Sequence, residues 1–451
     1  MKKLLILLIL VVATNSFGQH TFTGKLKPAK DHSSVILYKL NGLNQKYIDN
    51  TEIKEGGFSF EIPKGSTTGM YRIIYDFKNN KFLDFIYNKE DVTVEFHPDY
   101  PTELVTYSKS EENILFENYI DTITPLQNNI EDLQVDFFKS TDEKEDIQLK
   151  KSYQNALKKF NSFQREFEKK ATDKLAQNFI VANNLAYPET MIKDPGSYLK
   201  FLKQHYYDYI DFNNPVLAKS SVIINKVIEY VMHLNSSNDE ETAIAIRKKA
   251  IATTMEKINN EEIKRGVIKS LLYSFASSED LPLVNYLFKN YYDKLQKTDS
   301  DTDFKNIIGD KLKISIGNTA RNIIWEENGV QKSLYELKGS ELYLVVFWSS
   351  TCGHCLKEMP MLKKYLDEKK LNLKVIAIGL ENEDSKPKWK EETFFYEDFI
   401  HVLAMGKYQE KYAVDYDVSE TPNFFLLNSD KQIIAKPYDV KAFKALFEPV
   451  K

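Results

Sequence analysis

Cysteine is scarce. Only Cys352 and Cys355 occur in 451 residues, which excludes a disulfide-stapled scaffold and a cysteine-rich metal cluster. Long hydrophobic runs are missing too, because no stretch beyond residue 20 approaches the ~20 apolar residues of a membrane-spanning helix. Charge of one sign does not dominate, with Lys+Arg 61 against Asp+Glu 65 and a formal charge of -4. That balance offers no broad basic surface to nucleic acid or to an anionic membrane. Between residues 110 and 300 glycine almost vanishes, with only Gly196 and Gly266 of the sixteen, so this stretch lacks the frequent turns of a β domain. What remains, 42% apolar and 28% charged, is the composition of a folded globular chain. At roughly 150 residues per domain its length implies about three domains.

The N-terminus carries Lys2 and Lys3, ten apolar residues from Leu4 to Ala13, and the small residues Ser16 and Gly18 before Gln19. This is the pattern of a cleaved secretory signal peptide over residues 1–18. The apolar run is too short to cross ~30 Å of hydrocarbon. With no cysteine at the cut to carry a lipid, the expected location is the periplasm, without stable membrane insertion. Export places the two thiols where disulfide chemistry is permitted.

Three textures follow. Over 19–103, short alternating runs (Thr21 to Leu26, Val35 to Leu40, Phe58 to Ile62, Tyr71 to Tyr75, Phe82 to Tyr87, Val92 to Phe96) are punctuated by Gly42, Gly56-Gly57 and Asn79-Asn80. They predict an antiparallel β-sandwich. Over 104–300, apolar residues recur at three and four, as in Ile244, Ile251, Met255 and Ile258, and predict an all-α region. Ser237 with Glu240 fits a capping box, and Asn214-Pro215 fits a cap with proline in the first turn. The tyrosines 206, 207 and 209 are expected to pack in a core or interface. Over 308–451, the Asn328-Gly329 pair marks a hairpin. Leu342 to Trp348, seven apolar residues in a row, reads as a strand buried on both faces. A helical stretch and a second apolar run, Leu373 to Gly379, complete a βαβ unit of an α/β domain.

The strand leads into Ser349-Ser350-Thr351-Cys352-Gly353-His354-Cys355. A Cys-x-x-Cys at a strand-to-helix junction puts the first sulfur at a helix N-terminus, where free N–H groups and the macrodipole favour a thiolate. The second sulfur lies almost a turn inside, placed to resolve a mixed disulfide. His354, between them, can add positive charge. A zinc site would need two further ligands, and neither another cysteine nor a histidine pair at ligand spacing supplies them. A structural disulfide closing so short a loop would stabilise little. Neither metal nor organic cofactor is expected.

These residues resemble the thioredoxin-like domain of the TlpA/ResA type, exported thiol-disulfide oxidoreductases. The resemblance runs through Val345-Val346-Phe347-Trp348, the cysteine pair, Glu358-Met359-Pro360 and Tyr416-Asp417-Val418-Ser419-Glu420-Thr421-Pro422, under a third of the chain. It implies that Cys352 is the nucleophile and Cys355 the resolving cysteine. Glu358 would be an acid tuning their proton transfers, and Pro422 a cis-proline facing the pair. Thr421 would offer backbone groups to substrate, and Trp348 is grouped with these two as substrate-contacting. The regions ahead resemble, more loosely, modules of unknown function that precede such domains. Three departures bear on chemistry. Thr351 stands where the family commonly has tryptophan before the first cysteine, which removes a flat apolar wall beside the sulfur. Val346 stands where thioredoxins keep a buried aspartate, and the Gly-His dipeptide resembles protein disulfide isomerases, which shifts the expected potential from about −270 mV towards about −180 mV.

The expected function is exchange of disulfides with protein substrates, as reductase or isomerase, with electrons drawn from a membrane-bound donor. The rival expectation is a periplasmic peptide- or glycan-binding protein whose thioredoxin-like part is a redox-silent support.

Overall fold

The computed structural model describes residues 20–448, except positions 30, 31, 43, 77, 78, 80, 297 and 299. The leader expected over 1–18 therefore lies outside the described residues. The chain forms two compact units, one ending at Leu271 and the other starting at Leu272.

In the first unit eight strands, β1 (Thr21–Leu26), β2 (Ser34–Asn41), β3 (Asn44–Glu52), β4 (Gly57–Glu61), β5 (Gly69–Asp76), β6 (Lys81–Tyr87), β7 (Val92–Phe96) and β8 (Val105–Lys109), build two sheets. Their orders are β4-β1-β7-β8 and β3-β2-β5-β6. All pairs are antiparallel except β1 with β7. Alternate residues point inward, so Phe22, Phe58, Phe60, Tyr71, Phe85 and Phe96 share one core. Gly24 on β1 has a structural reason, since the Phe58 ring occupies the space a Cβ would need. Strand β3 has no apolar alternation, for its sequence is polar and its side chains are largely exposed. It is the edge of its sheet.

Two long helices, Glu111–Lys139 and Glu143–Lys170, follow and pack on each other. Tyr119 donates its buried hydroxyl to Gln164 Oε1 at 2.9 Å. Asn113 fixes the first helix to the sandwich, its amide accepting from Ile86 N–H and donating to Ile86 O at 2.8 and 2.7 Å. The Asn214 side chain caps Pro215–Ala218 by accepting from Val216 and Leu217 N–H. The expected Ser237/Glu240 capping box does not form. Asp239 is the cap, accepting from Thr242 N–H at 2.8 Å, because a carboxylate at that position serves the first turn as well as serine does. Tyr206 and Tyr207 pack against Tyr230, the latter pair 4.6 Å apart by ring centroid.

The second unit holds the helices Leu281–Asn290 and Ser300–Lys313, then the hairpin β9 (Ile324–Glu327) and β10 (Val330–Ser333). Asn328 and Gly329 turn it with φ of 52° and 76°, the two left-handed residues a tight hairpin requires. The main sheet comprises β11 (Leu342–Trp348), β12 (Leu373–Glu381), β13 (Ile400–Met405), β14 (Asn423–Asn428) and β15 (Ile433–Ala435). Its order is β13-β12-β11-β14-β15. β11, β12 and β13 run parallel, while β14 is antiparallel to β11 and to β15. β11 is the centre of the fold. Tyr343, Val345 and Phe347 enter one core, and Leu344, Val346 and Trp348 enter the other, beside the helix Cys355–Lys369. Burial on both faces explains its unbroken apolar sequence.

Candidate active site

Beyond Trp348 the chain leaves the sheet, turns through Ser349–Thr351 and enters the helix Cys355–Lys369. The Cys352 N–H donates to Ser349 O at 3.1 Å. Cys352 Sγ accepts the Cys355 backbone N–H at 3.2 Å, and its own proton is directed at Thr421 O, 3.3 Å away. Both cysteines are free thiols, Cys352 half-buried and Cys355 buried. The first sulfur can meet a partner, whereas the second is sealed beneath it.

Environment splits their acidities. Burial alone would raise the Cys352 thiol, but hydrogen bonds from the Cys355 thiol and N–H outweigh it and leave the thiol below its ordinary value. Burial, reinforced by the bond to Cys352, pushes Cys355 up to about 12. Because a lowered thiol is ionised at lower pH, alkylation of Cys352 by iodoacetamide should rise with pH and level off below the ~8.5 of a free thiol. Cys355 should stay unmodified over the same range in the folded protein. Site-resolved mass spectrometry across pH checks this, and a single titration near 8.5, or first reaction at Cys355, would overturn the assignment.

His354 is the first residue of the helix cap and is exposed. Its carbonyl accepts the Lys357 and Glu358 N–H groups at 3.0 Å, and its side chain makes no cap bond. The Thr421–Pro422 peptide is cis and stands opposite the cysteines through the Thr421 carbonyl. Glu358 is buried, and its Oε2 accepts Val440 N–H at 2.8 Å. Its carboxylate thereby holds the first turn of the helix Val440–Ala445.

Trp348 requires a correction. The residue is 0% exposed, its ring set edge-on to Tyr396 at 6.2 Å. A side chain so enclosed cannot touch a substrate. The alternation along β11 sends it into the core beside Cys355 and Met359, so it shapes the floor under the pair.

Three neighbours were not foreseen from the sequence. Lys407 Nζ donates to Thr351 Oγ1 at 3.1 Å, and Tyr408 Oη lies 3.4 Å from Thr421 Oγ1. Gly406 and Lys407, with φ of 112° and 53°, form the tight turn that brings both to the rim. Glu381, at the end of β12, is 0% exposed. Its carboxylate accepts Ser350 N–H at 2.6 Å and faces Ser349 Oγ at 3.3 Å, beneath the loop that presents Cys352. Among the described residues no cluster of three or more His, Cys, Asp or Glu could hold a metal. None of their helices is long and apolar enough to cross a membrane.

Residues 315–442 match the Redoxin family, and residues 20–116 match a domain of unknown function, DUF4369. The chain is 28% identical over 137 residues to the thiol-disulfide oxidoreductase ResA of Bacillus cereus, covering 30% of this chain and 76% of that protein. It is 27% identical over 135 residues to ResA of Bacillus subtilis, covering 30% and 73%. A thioredoxin-like protein from Bacteroides caccae superposes with a TM-score of 0.31 at 18% identity, covering 58% of this chain and 95% of its own. The C-terminal part of this chain is accordingly a Redoxin domain related to the ResA thiol-disulfide oxidoreductases, and a DUF4369 module opens its β-rich N-terminal region.

Proposed function

We propose that this protein is an exported enzyme that exchanges disulfides with protein substrates through Cys352 and Cys355, as a reductase or isomerase. One observation carries the reading: the half-buried Cys352 sulfur accepts a helix N-terminal N–H at 3.2 Å while its partner thiol is buried. In the forward direction the Cys352 thiolate attacks one sulfur of the substrate disulfide, and the other leaves as a thiolate that takes up a proton. Cys355 then attacks Cys352 Sγ, its proton passing to the second departing substrate sulfur. Substrate gains two electrons and two protons, and the enzyme is left as the Cys352–Cys355 disulfide. The Thr421 carbonyl stands 3.3 Å from the Cys352 sulfur, and Thr421 with Pro422 would receive the substrate strand. His354 would bear on the thiolate from the solvent side, and Glu358, its carboxylate tied to Val440 N–H, would tune the proton transfers of the pair. No metal or organic cofactor enters these steps.

Regeneration of the dithiol needs an external two-electron reductant, which for a periplasmic protein we assign to a membrane-bound donor. We divide the chain into a leader at 1–18, a sandwich that runs from 19 past the expected boundary at 103 because β8 (Val105–Lys109) is one of its strands, a helical domain from there to 300 and the thioredoxin-like domain at 308–451. The middle two would select or position the partner.

Equilibration of the full chain against a glutathione series, read by thiol trapping and mass, should give a two-electron couple between about −300 and −120 mV. A midpoint near about −270 mV identifies a reductase, and one near about −180 mV an isomerase or mild oxidant. A pair that never opens or never closes would instead favour a binding protein with a redox-silent support.

A further inference from the structure

The first unit contains a cleft of about 660 Å³ that the thiol chemistry does not use. This volume is in the range of small-ligand sites. Lys200 and Lys203 reach it from the helix Pro195–His205, and Lys249 and Lys257 from the helix Glu240–Lys257. Tyr207 and Tyr230, each 5% exposed, form part of its wall. Tyr207 is held by a hydroxyl contact to Thr254 at 3.0 Å.

Charge is the unusual feature. No lining residue carries a carboxylate, although acids outnumber bases over the whole chain, 65 to 61. Among the described residues none of the four lysines forms an ion pair. Elsewhere on these helical segments ammonium groups do find partners, as Lys170 does with Glu166 and Lys193 with Asp146. Favourable interaction with helix C-termini accounts for Lys203 and Lys257, which occupy last turns. It does not account for Lys200 or Lys249. Lys249 and Lys257, eight residues apart, share one helix face, and Lys200 and Lys203 are neighbours at three. Like charges so arranged repel, and a concave wall of one sign concentrates counter-ions.

We propose that this cleft binds a small polyanion carrying two or more phosphate, sulfate or carboxylate groups, held by the ammonium groups of Lys200, Lys203, Lys249 and Lys257. Burial lowers the Lys203 ammonium from its ordinary range, as a partly dehydrated cation lacking its counter-charge should be. Every residue named lies in the first unit, so the inference stands or falls apart from the redox reading.

Calorimetric titration of the full chain at low ionic strength with pyrophosphate, citrate and a disulfated disaccharide distinguishes the three anion sources. At least one probe should saturate a single site. K203Q/K249Q should weaken that probe by about tenfold or more, as loss of charge-assisted bonds does. The control K158Q/K159Q, on the exposed face of the helix Glu143–Lys170, removes the same charge and should change affinity by less than twofold, an amount on the order of 0.4 kcal/mol. Protection of Lys203 from acetylation by the bound probe, read by mass spectrometry on the unsubstituted protein, reports the site without any variant. Absence of saturable binding by all three probes, equal weakening in both double variants, or no protection of Lys203 would each overturn the proposal.

Discussion

Replacing Cys355 with serine is expected to turn a transient partner into a covalent one. Cys352 keeps its exposure, and although the Cys355 thiol that bonds it is gone, the backbone N–H at 3.2 Å remains. It can still attack a substrate disulfide. The second step is lost, because a serine hydroxyl does not displace a thiolate from sulfur. That step owes its speed to a neighbour fixed next to the bond it must break, an arrangement equivalent to many molar of free thiol. Mixed disulfides should therefore accumulate when the full chain carrying Cys355→Ser is expressed. They should appear as higher bands on non-reducing gels that collapse on reduction. Cys352→Ser should form none and should lose exchange activity by about a thousandfold or more. The remaining Cys355 cannot substitute, being buried and pushed up to about 12. If abundant, folded Cys355→Ser protein carries no adducts in the cell while Cys352→Ser behaves identically, the pair does not act on proteins.

The parts of this molecule legible in its sequence are those in which one residue pattern has one physical outcome. Seven consecutive apolar residues are too few for a typical helix and suit a strand covered on both faces, and Leu342–Trp348 is that strand. Asn328-Gly329 can supply two positive φ angles in succession, and it does. Strand β3 escaped notice because an edge strand with exposed side chains needs no apolar period. β13 escaped for another reason, its His401 interrupting a short run of half-buried and buried residues whose pairing with β12 is set by the rest of the sheet. The site followed the same rule. Spacing alone placed Cys352 and Cys355 at a helix start, whereas Lys407 and Tyr408 reach the rim through a turn some fifty residues away in sequence, visible only after folding. Trp348 shows the opposite failure, since proximity to the cysteines along the chain hid the fact that its position in β11 points it inward.

Glu381 is where a substitution far from the cysteines in sequence should cost both stability and rate. The carboxylate is fully enclosed, and it is the acceptor for Ser350 N–H at 2.6 Å. Ser350, itself 0% exposed, has no water to turn to. Removal by Glu381→Ala leaves that donor unpaired and opens a cavity, for an expected loss of about 2–4 kcal/mol. Glu381→Gln preserves an acceptor oxygen and a similar volume and should lose less than about half of that. All three tryptophans, Trp325, Trp348 and Trp389, belong to the second unit, so urea unfolding followed by their fluorescence reads this unit alone. The same bond sets the path of Ser349–Thr351, and Ser349 O in turn holds the Cys352 N–H at 3.1 Å. A nucleophile displaced by an ångström can react a hundredfold more slowly. Iodoacetamide should therefore modify Cys352 at nearly the wild-type pH profile in both variants, because the small reagent tolerates misplacement. Exchange with a protein disulfide, which requires alignment, should fall by about 10- to 100-fold in Glu381→Ala and recover most of the way in Glu381→Gln. Equal losses in both variants would assign the effect to the charge and not to the bond. Unchanged stability in Glu381→Ala would mean that the loop is held by its own serine contacts.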